Sequence, residues 1–134
     1  MEIVIETAVG RIRGREQDGL RIFRGVPYAE PPVEVRRLRP PEPVKPWAGV
    51  RDALEPGPAA PQNGGLVSRL LGIDTTHTDE ACLTLDVWAP AGETPPGGRP
   101  VMVWIHGGSF TIGTGAEPDY ERARLARGGD VVVV

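Results

Sequence analysis

The last third of the chain carries the pattern that most restricts its fold. Val101-Met102-Val103-Trp104-Ile105 runs directly into His106-Gly107-Gly108. A helix-compatible stretch at 118–127 follows, opened by Pro118 and trailed by Gly128-Gly129. Proline is tolerated in a first helical turn, and glycine suits the position after a last one. Val131 to Val134 are β-branched throughout and predict the next buried strand. Strand, glycine loop, helix and strand in that order make a βαβ crossover, which requires parallel pairing and places the chain in the α/β class. Residues 101–105 are apolar at every position, which predicts a central strand covered on two faces. A chain that finishes inside a buried parallel strand leaves an apolar edge unpaired. Residues 1–134 are therefore expected to be the N-terminal part of a larger fold, needing its remainder to fold.

The first third follows different rules. Residues 2–7 and 11–16 alternate polar and apolar side chains, as half-buried strands do. Asp18-Gly19 is a strong hairpin turn signal, and residues 20–26 read as a third short strand. Residues 2–26 thus predict a small antiparallel meander. Seven prolines between Pro27 and Pro46 exclude a helix and an interior strand, so this stretch predicts an extended arm on a larger surface. Residues 56–65 are irregular, and 66–71 could make one helical turn. Residues 83–89 predict a strand with Leu83, Leu85 and Val87 on one face. Residues 91–100 look like a Pro/Gly hairpin loop. No internal repeat or domain linker is evident.

Composition removes several function classes. The net charge is −3, which gives no electrostatic reason to bind nucleic acid or an anionic membrane. No apolar run approaches the roughly 20 residues of a membrane span. The N-terminus lacks the basic start and long apolar core of a signal peptide. Cys82 is the single cysteine, so no internal disulfide can form, and a cytoplasmic setting is the default. His77 and His106 have no cysteine or carboxylate at ligand spacing, so no zinc site is expected. Gly113-Thr114-Gly115 lacks the third glycine of a dinucleotide loop.

The chemistry concentrates at Gly107-Gly108-Ser109. An ordinary tight turn is one reading. The other is an oxyanion hole, in which consecutive backbone N–H groups point at the oxygen of a tetrahedral intermediate. Glycine would permit the required backbone angles and the close approach of substrate. One such donor is worth about 3 kcal/mol in the transition state. Ser109 is a poor nucleophile candidate, because Thr111 stands where G-x-S-x-G needs its last glycine and no helix starts at once. Ser68, the other serine, has no such context. His106 is expected to hydrogen-bond nearby backbone and support the loop.

Taken together, these blocks resemble the N-terminal quarter of the type-B carboxylesterases, an α/β-hydrolase family. Phe23-Arg24-Gly25-Val26-Pro27-Tyr28-Ala29-Glu30-Pro31-Pro32 resembles the family's opening block. Arg36-Arg37-Leu38-Arg39-Pro40-Pro41 and Lys45-Pro46-Trp47-Ala48-Gly49-Val50 match its proline-rich arm. Glu80 to Pro90 is similar to E-D-C-L-x-L-N-V-W-x-P, and His106 to Phe110 to H-G-G-G-F. The resemblance implies a single-domain serine hydrolase of small carboxylic esters that works through an acyl-enzyme without cofactor. Its Ser–Glu/Asp–His triad would lie beyond Val134. It implies that Gly108 and Ser109 donate N–H groups to the oxyanion, with Gly107 shaping the loop. It also implies an Arg37–Glu80 ion pair that pins the arm. Three departures stand out. Ser109 replaces the loop's third glycine, and Ala81 replaces the signature aspartate. No cysteine is present to pair with Cys82; Ala60 stands near its place, as in intracellular bacterial members. The competing expectations are an inactive fragment and a non-catalytic relative that keeps the fold for binding.

Overall fold

The computed structural model describes residues 1–65, 70, 72, 77–117 and 122–134. The helical turn expected at 66–71 and the helix start at Pro118 fall on or beside residues outside that set.

Among the described residues, one mixed sheet organises the chain. Strands β1 (Glu2–Thr7), β2 (Gly10–Gln17) and β3 (Leu20–Pro27) form the expected antiparallel meander. Asp18 and Gly19 join β2 to β3 with φ of 51° and 73°, the paired left-handed angles of a tight hairpin turn. The proline-rich arm then crosses the surface, interrupted only by a 3-10 turn at Glu34–Arg36. It leads to β4 (Val50–Asp52), which pairs parallel with β2. Next come β5 (Thr84–Pro90), β6 (Val101–Met102), helix α1 (Arg122–Gly129) and β7 (Val132–Val133). The sheet order is β1-β2-β3-β5-β7-β6, with β4 beside β2. β6 and β7 pair in parallel, Val101 with Val132 and Met102 with Val133, as the crossover pattern requires.

Side chains alternate across a strand, so one sheet supports two small cores. On one face Leu20, Trp88 and Val133 pack with Ala126 of α1. On the other, Ile12, Phe23 and Ala53 pack with Val87 and Trp47. The β3–β5 register slips between Phe23 and Val26. A half-buried bulge leaves backbone donors that need acceptors. Here Asp86 of β5 supplies one, accepting the Gly25 N–H at 2.8 Å and Arg24 Nε at 3.2 Å.

Four expectations need correction. Residues 91–100 are not a hairpin loop, because β7 inserts between β5 and β6. The stretch instead wraps Arg99, which donates to the Glu93 carbonyl at 2.7 Å and to Asp130 at 2.8 Å. Residues 101–105 are not a covered central strand. β6 is the sheet border, and Ile105 is 83% exposed, with Val103 and Trp104 also open. The four valines are not the unpaired edge, since interior β7 holds Val133 at 0% exposure. Finally, α1 runs through Gly128 and Gly129, and Asp130 takes the left-handed position after it at φ 47°. Aspartate tolerates that conformation better than most residues.

The accessible surface is 8966 Å², against about 6,800 Å² for a compact 14.4 kDa monomer.

Candidate active site

The β6–β7 ladder continues past β6: Val134 N–H donates to Met102 O at 2.9 Å and Trp104 N–H to Val134 O at 2.7 Å. The ladder therefore aims the chain straight off the sheet at His106. Three donors then converge on the Gly108 carbonyl: Thr111 N at 3.0 Å, Ile112 N at 3.2 Å and Thr111 Oγ1 at 3.0 Å. They wind residues 108–112 into a tight turn. Gly108 has φ 118°, and Ser109 and Phe110 follow at 54° and 60°. A Cβ at Gly108 would stand 1.8 Å from Ile112 O, so only glycine fits. The two left-handed residues after it carry a steric cost of roughly 1–2 kcal/mol each.

That winding points the Gly108 carbonyl inward to the turn and leaves adjacent N–H groups uncommitted. Among the described residues, the N–H groups of Gly108 and Ser109 donate to no protein acceptor. The N–H groups of Gly107 and Phe110 on either side are likewise uncommitted among the described residues, so the turn presents a run of free backbone donors. His106 Nδ1 donates to the Gly107 carbonyl at 2.7 Å, so the imidazole is tied to the loop backbone. No hydrogen bond joins Ser109 Oγ to an imidazole among the described residues.

The far end of the loop is tied elsewhere. Gly113 N–H donates to Gln62 Oε1 at 2.8 Å, and Gln62 Nε2 donates back to Gly113 O at 3.0 Å. Gln62 belongs to no periodic pattern and lies 51 positions from Gly113, so no local signal marks this contact.

A cavity of about 750 Å³ opens beside the loop, with Leu85, Trp88, Trp104, His106 and Phe110 on its wall. Arg122 of α1 also lines it and lies over the Trp88 ring at 4.7 Å. Gly107, Gly108 and Ser109 are not part of that wall, so the cavity and the paired donors are neighbours rather than one site. Cys82 is on the wall too; burial pushes its thiol up, with Asp79 and Glu80 adding to the effect and a backbone hydrogen bond opposing it. Among the described residues, no group of three His, Cys, Asp or Glu could hold a metal ion.

Arg37 Nε lies 3.0 Å from Glu80 Oε1, with the two side chains 63% and 43% exposed. Glu30 is better enclosed at 16%, accepting the Lys45 N–H at 3.0 Å and facing Arg36 at 3.4 Å. It is the denser tie within the arm.

The sequence profile of the carboxylesterase family matches residues 1–134. Phenmedipham hydrolase of Pseudarthrobacter oxydans is 48% identical over 136 aligned positions, covering 96% of this chain and 26% of that protein. Para-nitrobenzyl esterase of Bacillus subtilis is 41% identical, covering 98% of this chain and 26% of its own length. The solved structure of a thermophilic pNB esterase superposes with a TM-score of 0.87 at 40% identity, over 97% of this chain and 26% of that one. The mixed sheet is thus the N-terminal part of an α/β-hydrolase fold. The chain spans about a quarter of the length of the curated relatives it matches.

Proposed function

The chain belongs to the carboxylesterase family, and from that premise we propose that it is the oxyanion-binding N-terminal segment of a single-domain carboxylic-ester hydrolase. Its substrate is a small carboxylic ester. A serine from another segment attacks the ester carbonyl, with an acid–histidine pair taking the proton, and water releases the acyl-enzyme. The Gly108 and Ser109 N–H groups receive the negative charge on the carbonyl oxygen. Gly107 and His106 shape and support the loop.

The uncommitted, adjacent N–H groups of Gly108 and Ser109 carry this reading. They are organised before substrate arrives, so no reorganisation is needed as charge develops. Ser109 contributes through its backbone; His106 is bound to the Gly107 carbonyl and does not activate its hydroxyl.

Gly108→Ala is the test, made in the hydrolase that carries this segment. The new Cβ would meet Ile112 O at 1.8 Å, so the turn must open and at least one donor is lost. Removing one donor costs about 10²–10³-fold in kcat, with KM nearly unchanged. A kcat within threefold of the parent would remove the loop from catalysis. The 134-residue chain by itself is expected to hydrolyse no p-nitrophenyl ester. Turnover by the chain alone, abolished by Ser109→Ala, would instead make Ser109 a nucleophile.

A further inference from the structure

We propose that Gln62 is a positioning residue for the oxyanion loop, acting through Gly113; this rests on the hydrolase reading above. Its primary amide makes a peptide-like pair with Gly113, donating at 3.0 Å and accepting at 2.8 Å. The second Nε2 hydrogen donates to Ala60 O at 3.2 Å, so the amide has little freedom to rotate. Gly113 is in turn pressed against the start of the loop. A Cβ there would stand 2.7 Å from Gly107 O and 2.8 Å from His106 Nδ1. Gln62 thus fixes Gly113, and Gly113 backs the His106–Gly107 unit from which the Gly108 and Ser109 donors project.

The anchor is itself secured. Ala59 exchanges hydrogen bonds with the 77–79 segment, Ala59 N to His77 O and Asp79 N to Ala59 O, both at 3.0 Å. Gly57 packs against Thr84 at the start of β5 so closely that a Cβ there would stand 2.1 Å from Thr84 Oγ1. The loop needs such a tie because Ser109 and Phe110 are both held left-handed, with Phe110 fully exposed. An untied loop would relax those angles and turn its N–H groups away. The device is geometric: Gln62 bonds the backbone of Gly113 and Ala60, and through them it sets where the donors sit.

The substitutions Gln62→Ala and Gln62→Glu separate positioning from general structural support. In the hydrolase carrying this segment, Gln62→Ala should lower kcat about 10-fold or more while KM stays within about threefold, since the loss falls on the transition state. A trifluoromethyl ketone, which forms the tetrahedral adduct, should weaken in parallel with kcat. In Gln62→Glu the carboxylate still accepts from Gly113 N–H but faces the Gly113 and Ala60 carbonyls with no proton to give. Its kcat relative to the parent should therefore recover as pH is lowered and the new carboxyl protonates. A merely structural role would not produce that acid rescue. If Gly108→Ala lowers kcat but both Gln62 variants retain it, the positioning role is wrong and the oxyanion reading stands. If Gly108→Ala itself is silent, both are wrong. Equal losses in Gln62→Ala and Gln62→Glu with no pH dependence would also overturn the positioning role.

Discussion

Removing the Asp86 carboxylate should destabilise the protein more than any surface ion pair does, and the structure indicates by how much. Asp86 is 11% exposed and holds the β3 bulge to β5. Its Oδ1 accepts the Gly25 N–H at 2.8 Å, and its Oδ2 faces Arg24 Nε at 3.2 Å. A hydrogen bond to a charged acceptor contributes about 1.5–3 kcal/mol, and losing it strands a backbone donor inside the bulge. The Arg24 side chain is 27% exposed, so its ion pair adds no more than about 1 kcal/mol. Asp86→Ala should therefore cost about 2–4 kcal/mol. With a urea slope of about 2 kcal/mol/M, the unfolding midpoint falls by about 1–2 M. Asp86→Asn keeps a neutral oxygen for Gly25 and loses mainly the ion pair, so it should cost only about 1 kcal/mol. Urea unfolding followed by circular dichroism reads both. Equal midpoints for the alanine and asparagine variants would refute the argument, because the Gly25 hydrogen bond would then carry no weight.

Three further outcomes follow from the same geometry. In the proposed hydrolase that carries this segment, Ser109→Gly should retain or raise ester turnover, since the N–H stays and the left-handed angle is relieved, while Ser109→Val should lower it; abolished turnover in Ser109→Gly would show that the hydroxyl is required. Arg37→Ala should cost about 0.2–1 kcal/mol, because its pair with Glu80 is exposed, whereas Glu30→Ala should cost more; a urea midpoint shift in the reverse order would make Arg37 the main pin of the arm. The Cys82 thiol is raised by burial, so less thiolate is present at a given pH, and iodoacetamide at pH 8 should modify it more slowly than it does after unfolding in urea; equal rates would contradict the burial.

Signals that act over a few residues are legible in the amino-acid sequence. Asp18-Gly19 specifies its turn because only a paired left-handed conformation matches the twist of flanking strands. The strand–loop–helix–strand order specifies the parallel β6–β7 pair, since a helix that crosses back over the sheet returns the next strand parallel to the first. The His106-Gly107-Gly108 junction marks the loop because the position of Gly108 has no room for a Cβ. The same locality explains the errors. Five apolar residues at 101–105 signal burial by something, and nothing within the stretch says whether the cover is present; β6 is in fact the border strand.

What the amino-acid sequence determined alone was the N-terminal meander, the parallel β6–β7 pair and the position of the glycine loop, whereas β4 carried no local signal. The legible features depend on backbone sterics and side-chain pattern, which are properties of neighbours in the chain. The tertiary structure decided the strand order and the anchors. It put β7 between β5 and β6, wound residues 91–100 around Arg99 in place of a hairpin, and brought the Gln62 amide to Gly113 across 51 positions. Those outcomes depend on which distant surfaces bury the most area and which buried donors find acceptors. No local pattern encodes that competition.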